Sequence, residues 1–314
     1  MSLDPVVLFF ALGLAAGLAR ADLRLPAPIH DALTFILLLA IGLKGGIELH
    51  EQASLAILGE SLAVIAMGLV LPLLAFPLLL GPARLPRADA ASVAAHYGSV
   101  SVGTYAVAVA FLTASGVSFD EYMALFVVLL EAPAIVVGIL LARGLQAGTD
   151  WRTLTHELFL GRSVLLLLGG LLIGWIAGPV GIEPIAPLFF DAFKGVLALF
   201  LLDMGLIAAS RMGALRHYGI ALIAFGVLWP LFSAAVGTGL GLALGLSTGS
   251  IALLATLAAS GSYIAVPAAM RIAVPEANPS LSLAASLGIT FPFNIFVGIP
   301  LYLEVATRLT GGSP

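Results

Sequence analysis

The sequence predicts an all-α polytopic membrane protein with ten transmembrane helices arranged as a 5+5 inverted repeat, in which broken helices 4 and 9 cross at mid-membrane. Three observations predict this class: an apolar composition, ten stretches long enough to span a bilayer, and matches between the two halves. The 314 residues are 61% hydrophobic and 10% charged, with a mean hydropathy of +1.14. Soluble domains carry about 25% charged residues. Such a composition excludes a soluble protein.

Charge and cysteine content exclude further classes of protein. The net charge is −4 and no basic run is present, which excludes a nucleic-acid-binding protein. The absence of cysteine excludes disulfides, thiolate metal sites and cysteine nucleophiles. Residues 1–5 lack the basic region of a signal peptide, so we interpret the N-terminus as the start of the first span.

Ten segments have the length and apolarity that a spanning helix needs, about 20 residues. Prolines or charged residues separate several of them. The predicted spans cover residues 3–19, 28–46, 54–80, 88–114, 119–143, 163–181, 185–209, 217–246, 248–273 and 280–306.

The basic residues predict the orientation, since cytoplasmic loops are enriched in Lys and Arg. Ten of the 13 basic residues fall in loops after odd-numbered spans. We therefore expect these loops in the cytoplasm and both termini outside, in the plasma membrane of a bacterium, its inner membrane. The ten residues are Arg20, Arg24, Arg84, Arg87, Arg143, Arg152, Arg162, Arg211, Arg216 and Arg271.

The two halves match when the chain is shifted by 159 positions. Glycines 13 and 17 also fall near glycines 170 and 174 after a two-residue adjustment. Five spans per half is an odd number, so the second copy enters from the opposite face, as in many secondary transporters. We predict a first repeat over 1–145, a short cytoplasmic linker over 146–162 and a second repeat over 163–314. The matching segments are Leu43–Gly46 with Leu202–Gly205, Ser101–Ala106 with Ser260–Ala265, and Pro133 with Pro292.

Spans 4 and 9 each carry a cluster of glycine and small hydroxyl residues at mid-span. One interpretation is close helix packing, which small residues allow. The repeat-related positions favour the other, in which both helices break, because unwound backbone in a membrane lines a cavity or is packed in protein. Free N–H groups there suit an anion, and hydroxyl and carbonyl oxygens suit sodium. The predicted substrate-binding residues are Gly98, Ser99, Ser101, Gly103, Thr104, Ser260, Gly261, Ser262 and Tyr263.

Ionisable residues inside spans are functional candidates. Glu131 lies two residues before Pro133 and either completes a cation site, carries a proton, or is a protonated structural residue. Thr290 and Asn294 flank Pro292, and Thr290 matches Glu131 in the other repeat. No cofactor is expected beyond sodium as the coupling ion. The predicted sodium-binding residues are Ser99, Ser101, Glu131, Ser260, Ser262, Thr290 and Asn294.

Other charged residues allow structural interpretations. Lys44 and Asp203 occupy related positions and either bridge the repeats or reach separate interfaces, whereas Asp191 and Lys194 have the spacing of a local ion pair. His96 is interpreted as a hydrogen-bonded packing residue. An inverted repeat has no role in hydrolase chemistry, so we predict no enzymatic activity.

At these residues the sequence resembles the sodium-dependent bicarbonate transporters of the SbtA type. The resemblance covers essentially the whole chain. It implies an elevator-like symporter, a homotrimer, and sodium and bicarbonate bound between the repeats by Ser99, Ser101, Ser260, Ser262 and Glu131. The segments that carry it are Ile41–Gly46, Gly98–Ser101, Ser260–Arg271, Val274–Pro279, Gly288–Asn294 and Gly298–Tyr302.

The resemblance leaves the anion and the partner open. Cyanobacterial members have a longer central linker and are regulated by a PII-like protein, so the short linker here puts that partner in doubt. His96 and Tyr97 also differ from the cyanobacterial form, so another small anion is an alternative. A sodium/proton exchanger and a bile-acid-like organic-anion symporter are the alternative transporters, and a non-transporting membrane module is the remaining class.

Overall fold

The computed structural model describes residues 5–52, 54–144, 156, 160–215 and 219–311. All regular structure within these ranges is helical. The helices are α1 Pro5–Leu18, α2 Ala27–Gln52, α3 Leu55–Leu80, α4 Arg87–Gly98, α5 Val102–Ala114, α6 Met123–Arg143, α7 Arg162–Ile182, α8 Phe193–Leu215, α9 Gly219–Ala243, α10 Thr248–Ala258, α11 Ala265–Ala273 and α12 Pro279–Leu309.

Eight segments in the described ranges are long and apolar enough to cross a bilayer, with α4 and α5 together forming one of them. They correspond to eight of the ten predicted spans. The span predicted at 3–19 is the shorter helix α1, and the span predicted at 248–273 is divided between α10 and α11. Large apolar side chains on the outer helices are exposed; Leu55, for example, is 89% exposed and Ile220 is 84% exposed. The protein is therefore a multi-pass helical membrane protein.

The seventh span begins later than predicted. Residues Glu183–Ile185 form a 3₁₀ turn and Pro187–Asp191 a π turn, and α8 starts only at Phe193. Two prolines in this segment, Pro184 and Pro187, lack the N–H donors that a regular helix requires. Of the predicted linker 146–162, residues 146–155 and 157–159 lie outside the described residues.

Two helix pairs pack at very short range through glycine. At Gly205 of α8, a Cβ atom would lie 2.6 Å from the backbone nitrogen of Leu14 in α1. At Gly46 of α2, a Cβ atom would lie 2.9 Å from the backbone nitrogen of Trp175 in α7. Only glycine allows backbones to approach this closely. Each pair joins a helix of the first half to a helix of the second.

The short helices form the interior of the molecule. Every residue from 90 to 110, across α4 and α5, is buried, and so is every residue from 249 to 262, across α10 and the segment after it. The non-helical residues 99–101 and 259–264 lie within or next to these stretches. Irregular backbone is thus packed in protein, where its polar groups find partners away from lipid.

Candidate functional site

The first interruption separates α4 from α5 at residues 99–101. Helix α4 ends at Gly98, Ser99 is extended with φ −93° and ψ −172°, and α5 begins at Val102. Ser101 caps α5, because its Oγ accepts a hydrogen bond from the Thr104 backbone N–H at 3.1 Å. The Thr104 hydroxyl donates to the same oxygen at 2.8 Å. A serine at this position therefore starts a new helix in the middle of the membrane-spanning segment.

Gly98 allows α3 to press against this interruption. A Cβ atom at residue 98 would lie 2.5 Å from Cδ of Pro72 and 3.0 Å from Cβ of Ala134. The proline ring is part of α3 and has little freedom to move. The glycine predicted as a substrate-binding residue thus also has a steric role.

The second interruption separates α10 from α11 at residues 259–264. The Ser260 hydroxyl donates to the Leu257 carbonyl at 2.8 Å. Ser262 Oγ accepts from the Val266 N–H at a long 3.4 Å, and Ile264 provides no side-chain cap for α11. Pro267 then contributes no N–H. The first turn of α11 is therefore only weakly capped.

The two interruptions contact each other. The Ser101 backbone N–H donates to Ser260 Oγ at 2.9 Å, between residues 159 positions apart. The Ser262 N–H donates to the His96 carbonyl at 2.8 Å. Predicted site residues from the two halves of the sequence thus lie side by side in the buried interior.

Tyr263 fills the space that Gly103 leaves. Its hydroxyl lies where a Cβ of residue 103 would be, and its ring packs edge-to-face on Phe291 with centroids 5.7 Å apart. Within the described residues this hydroxyl has no hydrogen-bond partner. Gly103 and Tyr263 are therefore brought together, as a contact between the two interruptions.

Ser99 has a free polar atom at the first interruption. The residue is 1% exposed, and its hydroxyl oxygen has no hydrogen-bond partner among the described residues. Buried polar atoms are nearly always hydrogen-bonded in native structures. An unpaired hydroxyl here is available to a ligand.

Glu131 lies near the second interruption, although it belongs to the first half. It is 2% exposed and lines a cavity of about 210 Å³ together with Ile264 and Ala265. The side chain of Ser163 is its hydrogen-bonding neighbour, and one carboxylate oxygen, Oε2, has no partner among the described residues. This cavity brings a free carboxylate oxygen beside α11, and no hydrogen bond joins it to the predicted serines.

Thr290 and Asn294 lie on α12 and already have protein partners. The Thr290 hydroxyl donates to the Gly226 carbonyl at 2.7 Å and contacts the Tyr97 hydroxyl at 2.6 Å. Asn294 donates from Nδ2 to the Ala259 carbonyl at 2.9 Å and accepts from the Tyr302 hydroxyl at 2.8 Å. Asn294 therefore donates to the second interruption, whereas Thr290 donates to α9 and accepts from Tyr97, next to the first interruption.

Of the two interpretations of Lys44 and Asp203, the bridge between the repeats is not formed. Asp203 contacts His30 Nδ1 at 2.6 Å, and Lys44 donates to Glu121 at 3.3 Å. Each of the two residues therefore pairs with a neighbour and not with the other residue of the predicted pair. No ion pair joins Asp191 to Lys194 in the described part of the chain either.

Sequence reasoning missed three neighbours of the site. Ser163 beside Glu131, Tyr302 beside Asn294 and His30 beside Asp203 were not predicted. Ser163 and His30 are distant in sequence from their partners, so spacing gave no signal. For Tyr302 the sequence carried a weak signal, since Tyr302 follows Asn294 by eight residues on the same helical segment.

The geometry combines two buried interruptions, unpaired oxygens and a membrane-spanning framework. No curated protein matches the chain significantly. Residues 5–307 match the family model described as the Na⁺-dependent bicarbonate transporter superfamily. The match covers nearly all of the 314 residues. The chain therefore belongs to the Na⁺-dependent bicarbonate transporter superfamily.

Proposed function

We propose that this protein imports bicarbonate or a similar small anion together with sodium, by elevator-like alternating access. Its family makes it a transporter and not an enzyme. The observation that carries the proposal is the 2.9 Å hydrogen bond from the Ser101 N–H to Ser260 Oγ. It joins two helix interruptions in the buried interior, where backbone polar groups can serve a ligand.

Close contacts support the proposed inverted repeat of 1–145 and 163–314, joined by the linker 146–162. A Cβ at Gly13 of α1 would meet the Leu202 carbonyl of α8, and a Cβ at Gly174 of α7 would meet the Leu43 carbonyl of α2. Leu43 and Leu202 are 159 positions apart, and Gly13 and Gly174 are 161 apart. These reciprocal contacts support relating Gly13 to Gly174, whereas the sequence comparison aligned it near Gly170.

The two residues matched at mid-span also have reciprocal neighbours. Glu131 of the first half lines the cavity beside Ala265 of the second interruption. Thr290 of the second half contacts Tyr97, next to the first interruption. Each repeat thus places a polar residue against the interruption of the other. This supports ten spans with crossed, broken helices 4 and 9.

The chemistry of the site suits a cation and an anion whose charges cancel. Moving one negative charge into a negative-inside cell costs about 2.3 kcal/mol per 100 mV, and an inward sodium ion returns it. One-to-one symport removes this electrical cost, so the sodium gradient drives accumulation. We assign sodium to hydroxyl and carboxylate oxygens, with Ser99 and Glu131 as the ligands whose oxygens are free. We assign the anion to N–H groups at the weakly capped start of α11.

The remaining expectations are part of the same proposal. The other predicted substrate and sodium residues keep their roles as ligands or as supports of the interruptions. We also propose a homotrimer in the bacterial inner membrane with both termini outside. The short linker leaves a PII-like regulator outside the proposal.

Uptake of labelled bicarbonate into proteoliposomes tests this function. We expect an inward sodium gradient to stimulate uptake at least several-fold. Glu131→Gln removes the carboxylate charge and is expected to abolish the stimulation. Glu304→Gln is the matched control, since Glu304 pairs with Arg308 away from the interruptions. Uptake that is indifferent to sodium would contradict the proposal.

A sodium/proton exchanger is the second candidate, because the free Oε2 of buried Glu131 suits a proton as well as sodium. A pH-sensitive dye inside the vesicles separates the two. An exchanger gives sodium-driven proton flux without bicarbonate, and Glu131→Gln abolishes that flux. Bicarbonate symport predicts no such flux in bicarbonate-free buffer.

A further inference from the structure

We infer that a second cavity, beside the first interruption, is an anion subsite that recognises bicarbonate through its hydroxyl group. This inference rests on the proposed function. The cavity has a volume of about 100 Å³ and lies between α4 and α11. Three polar residues line it, Ser92, His96 and Arg271, among largely apolar neighbours. The Ser92 hydroxyl is already paired with the Ser282 hydroxyl at 3.1 Å, whereas His96 and Arg271 have complementary chemistry to offer a ligand.

The hydrogen bonding of His96 defines what this ring offers to a ligand. Its Nδ1 lies 2.7 Å from the Ser92 carbonyl, which can only accept, so Nδ1 carries a proton. In the neutral ring, Nε2 is then a lone-pair acceptor. No described residue hydrogen-bonds Nε2, although the imidazole is 1% exposed. His96, which lines the cavity, therefore has an unpaired acceptor that suits an O–H donor.

Arg271 supplies the opposite property at the mouth of the cavity. It is exposed and lines the same space. No ion pair is formed by Arg271 within the described residues, whereas nearby Arg143 pairs with Glu276. Asp89 is a possible competitor on α4, but it accepts the Asn278 N–H at 2.7 Å and does not line the cavity. A free guanidinium donates to planar anions in a bidentate manner.

The volume limits the ligand to a small ion. The cavity volume of about 100 Å³ is well above the roughly 10–15 Å³ that one water molecule needs, so a small ion fits. Drug-sized ligands need about 300–1,000 Å³. A bile-acid-like anion does not fit, and bicarbonate does.

Bicarbonate matches both groups at once. Its carboxylate side suits the Arg271 guanidinium, and its O–H suits the Nε2 acceptor of His96. Nitrate has the same planar shape and charge but no O–H, so it leaves Nε2 unpaired. Sites built around a hydrogen bond reject analogues that lack it. The arrangement thus predicts a preference for bicarbonate over nitrate.

The cavity adjoins the proposed transport site. The His96 carbonyl accepts the Ser262 N–H of the second interruption at 2.8 Å. Helix α11 separates this cavity from the one that contains Glu131, since residues 267, 270, 271 and 274 line the former and 264, 265, 268 and 269 the latter. An anion beside His96 and sodium beside Glu131 would flank the same short helix.

The test measures bicarbonate and nitrate on matched variants of the full chain. In sodium-driven uptake of labelled bicarbonate, nitrate is the competitor. We expect His96→Leu to raise the KM for bicarbonate about tenfold, which corresponds to the loss of one hydrogen bond of about 1.4 kcal/mol. The inhibition constant of nitrate should stay unchanged, because nitrate makes no such bond. Arg271→Gln is expected to weaken the binding of both anions, because Arg271 recognises the negative charge that they share. Arg24→Gln is the control, an exposed arginine of the same predicted side that lies outside the cavity.

A binding measurement separates this inference from the proposed function. Bicarbonate is expected to raise the Tm of the detergent-purified protein more than nitrate does. His96→Leu is expected to remove the difference between the two anions. Arg271→Gln is expected to remove the rise in Tm itself. If sodium-driven uptake is absent but these Tm effects persist, the symport proposal fails and the subsite stands. If His96→Leu alters neither anion, or both equally, the recognition of the hydroxyl group is refuted. If His96→Leu does not fold, Arg271→Gln still tests the subsite, because Arg271 is exposed. A Tm response to bicarbonate and nitrate that Arg271→Gln leaves unchanged would refute the subsite.

Discussion

The two interruptions differ in how well their hydrogen bonds are satisfied. At the first, Ser101 caps α5 with bonds of 3.1 and 2.8 Å to Thr104, and only the Ser99 hydroxyl is left free. At the second, Ser262 reaches the first turn of α11 at 3.4 Å, and Ile264 adds no cap. The first thus leaves one side-chain oxygen free, that of Ser99. The second leaves the Tyr263 hydroxyl free and the N–H groups at the start of α11 weakly capped.

This difference assigns different ligands to related positions. A spare oxygen suits sodium, and weakly capped N–H groups at a helix start suit an anion. Two copies of one architecture can therefore bind a pair of opposite charges, because only the second copy leaves the N–H groups of its new helix weakly capped. Three sets of variants test this comparison.

The largest expected effect concerns the glycine beside each interruption. Gly98→Ala places a Cβ 2.5 Å from Pro72, so we expect a loss of about 1–3 kcal/mol in the free energy of unfolding from overpacking. Gly261→Ala is the matched variant, since its Cβ would meet Ser286 Cβ at 3.3 Å, a much smaller overlap that should cost less. Thermal unfolding in detergent measures both. Equal losses would mean that the two interruptions are packed alike.

A smaller effect is expected at the capping serines. Ser101→Ala removes the cap of α5 and should cost about 1 kcal/mol of stability. Ser262→Ala loses only a 3.4 Å contact and should cost less than about 0.5 kcal/mol. The same unfolding assay applies. A larger loss for Ser262→Ala would reverse our assignment of the weakly capped helix.

The smallest effect on stability is expected at Ser99. Its hydroxyl makes no hydrogen bond in the described structure, so Ser99→Ala removes none and should leave the Tm within about one degree. Transport should change instead: we expect the apparent sodium affinity to fall several-fold in the proteoliposome assay. An unchanged sodium dependence would show that Ser99 only fills space.

The sequence could predict features that depend on local composition. Apolar length placed the long helices, and helices α4 and α10 end inside the Gly/Ser clusters around Ser99 and Ser260. Partners across the fold were out of reach, because they depend on how each helix is rotated. Asp203, for example, meets His30 across 173 positions. The predicted start of α8 was wrong because the prediction relied on the length of the apolar stretch and gave too little weight to Pro184 and Pro187.

The glycine contacts have a consequence for how the protein is made. Helix α1 packs on α8 and helix α2 on α7, so each early-synthesised helix finds its partner only after the chain has passed the midpoint. Until then, the glycine faces of α1 and α2 lack the partners that they have in the folded protein. Neither half can complete its own packing, so insertion of the second half is the step that commits the first to its native arrangement.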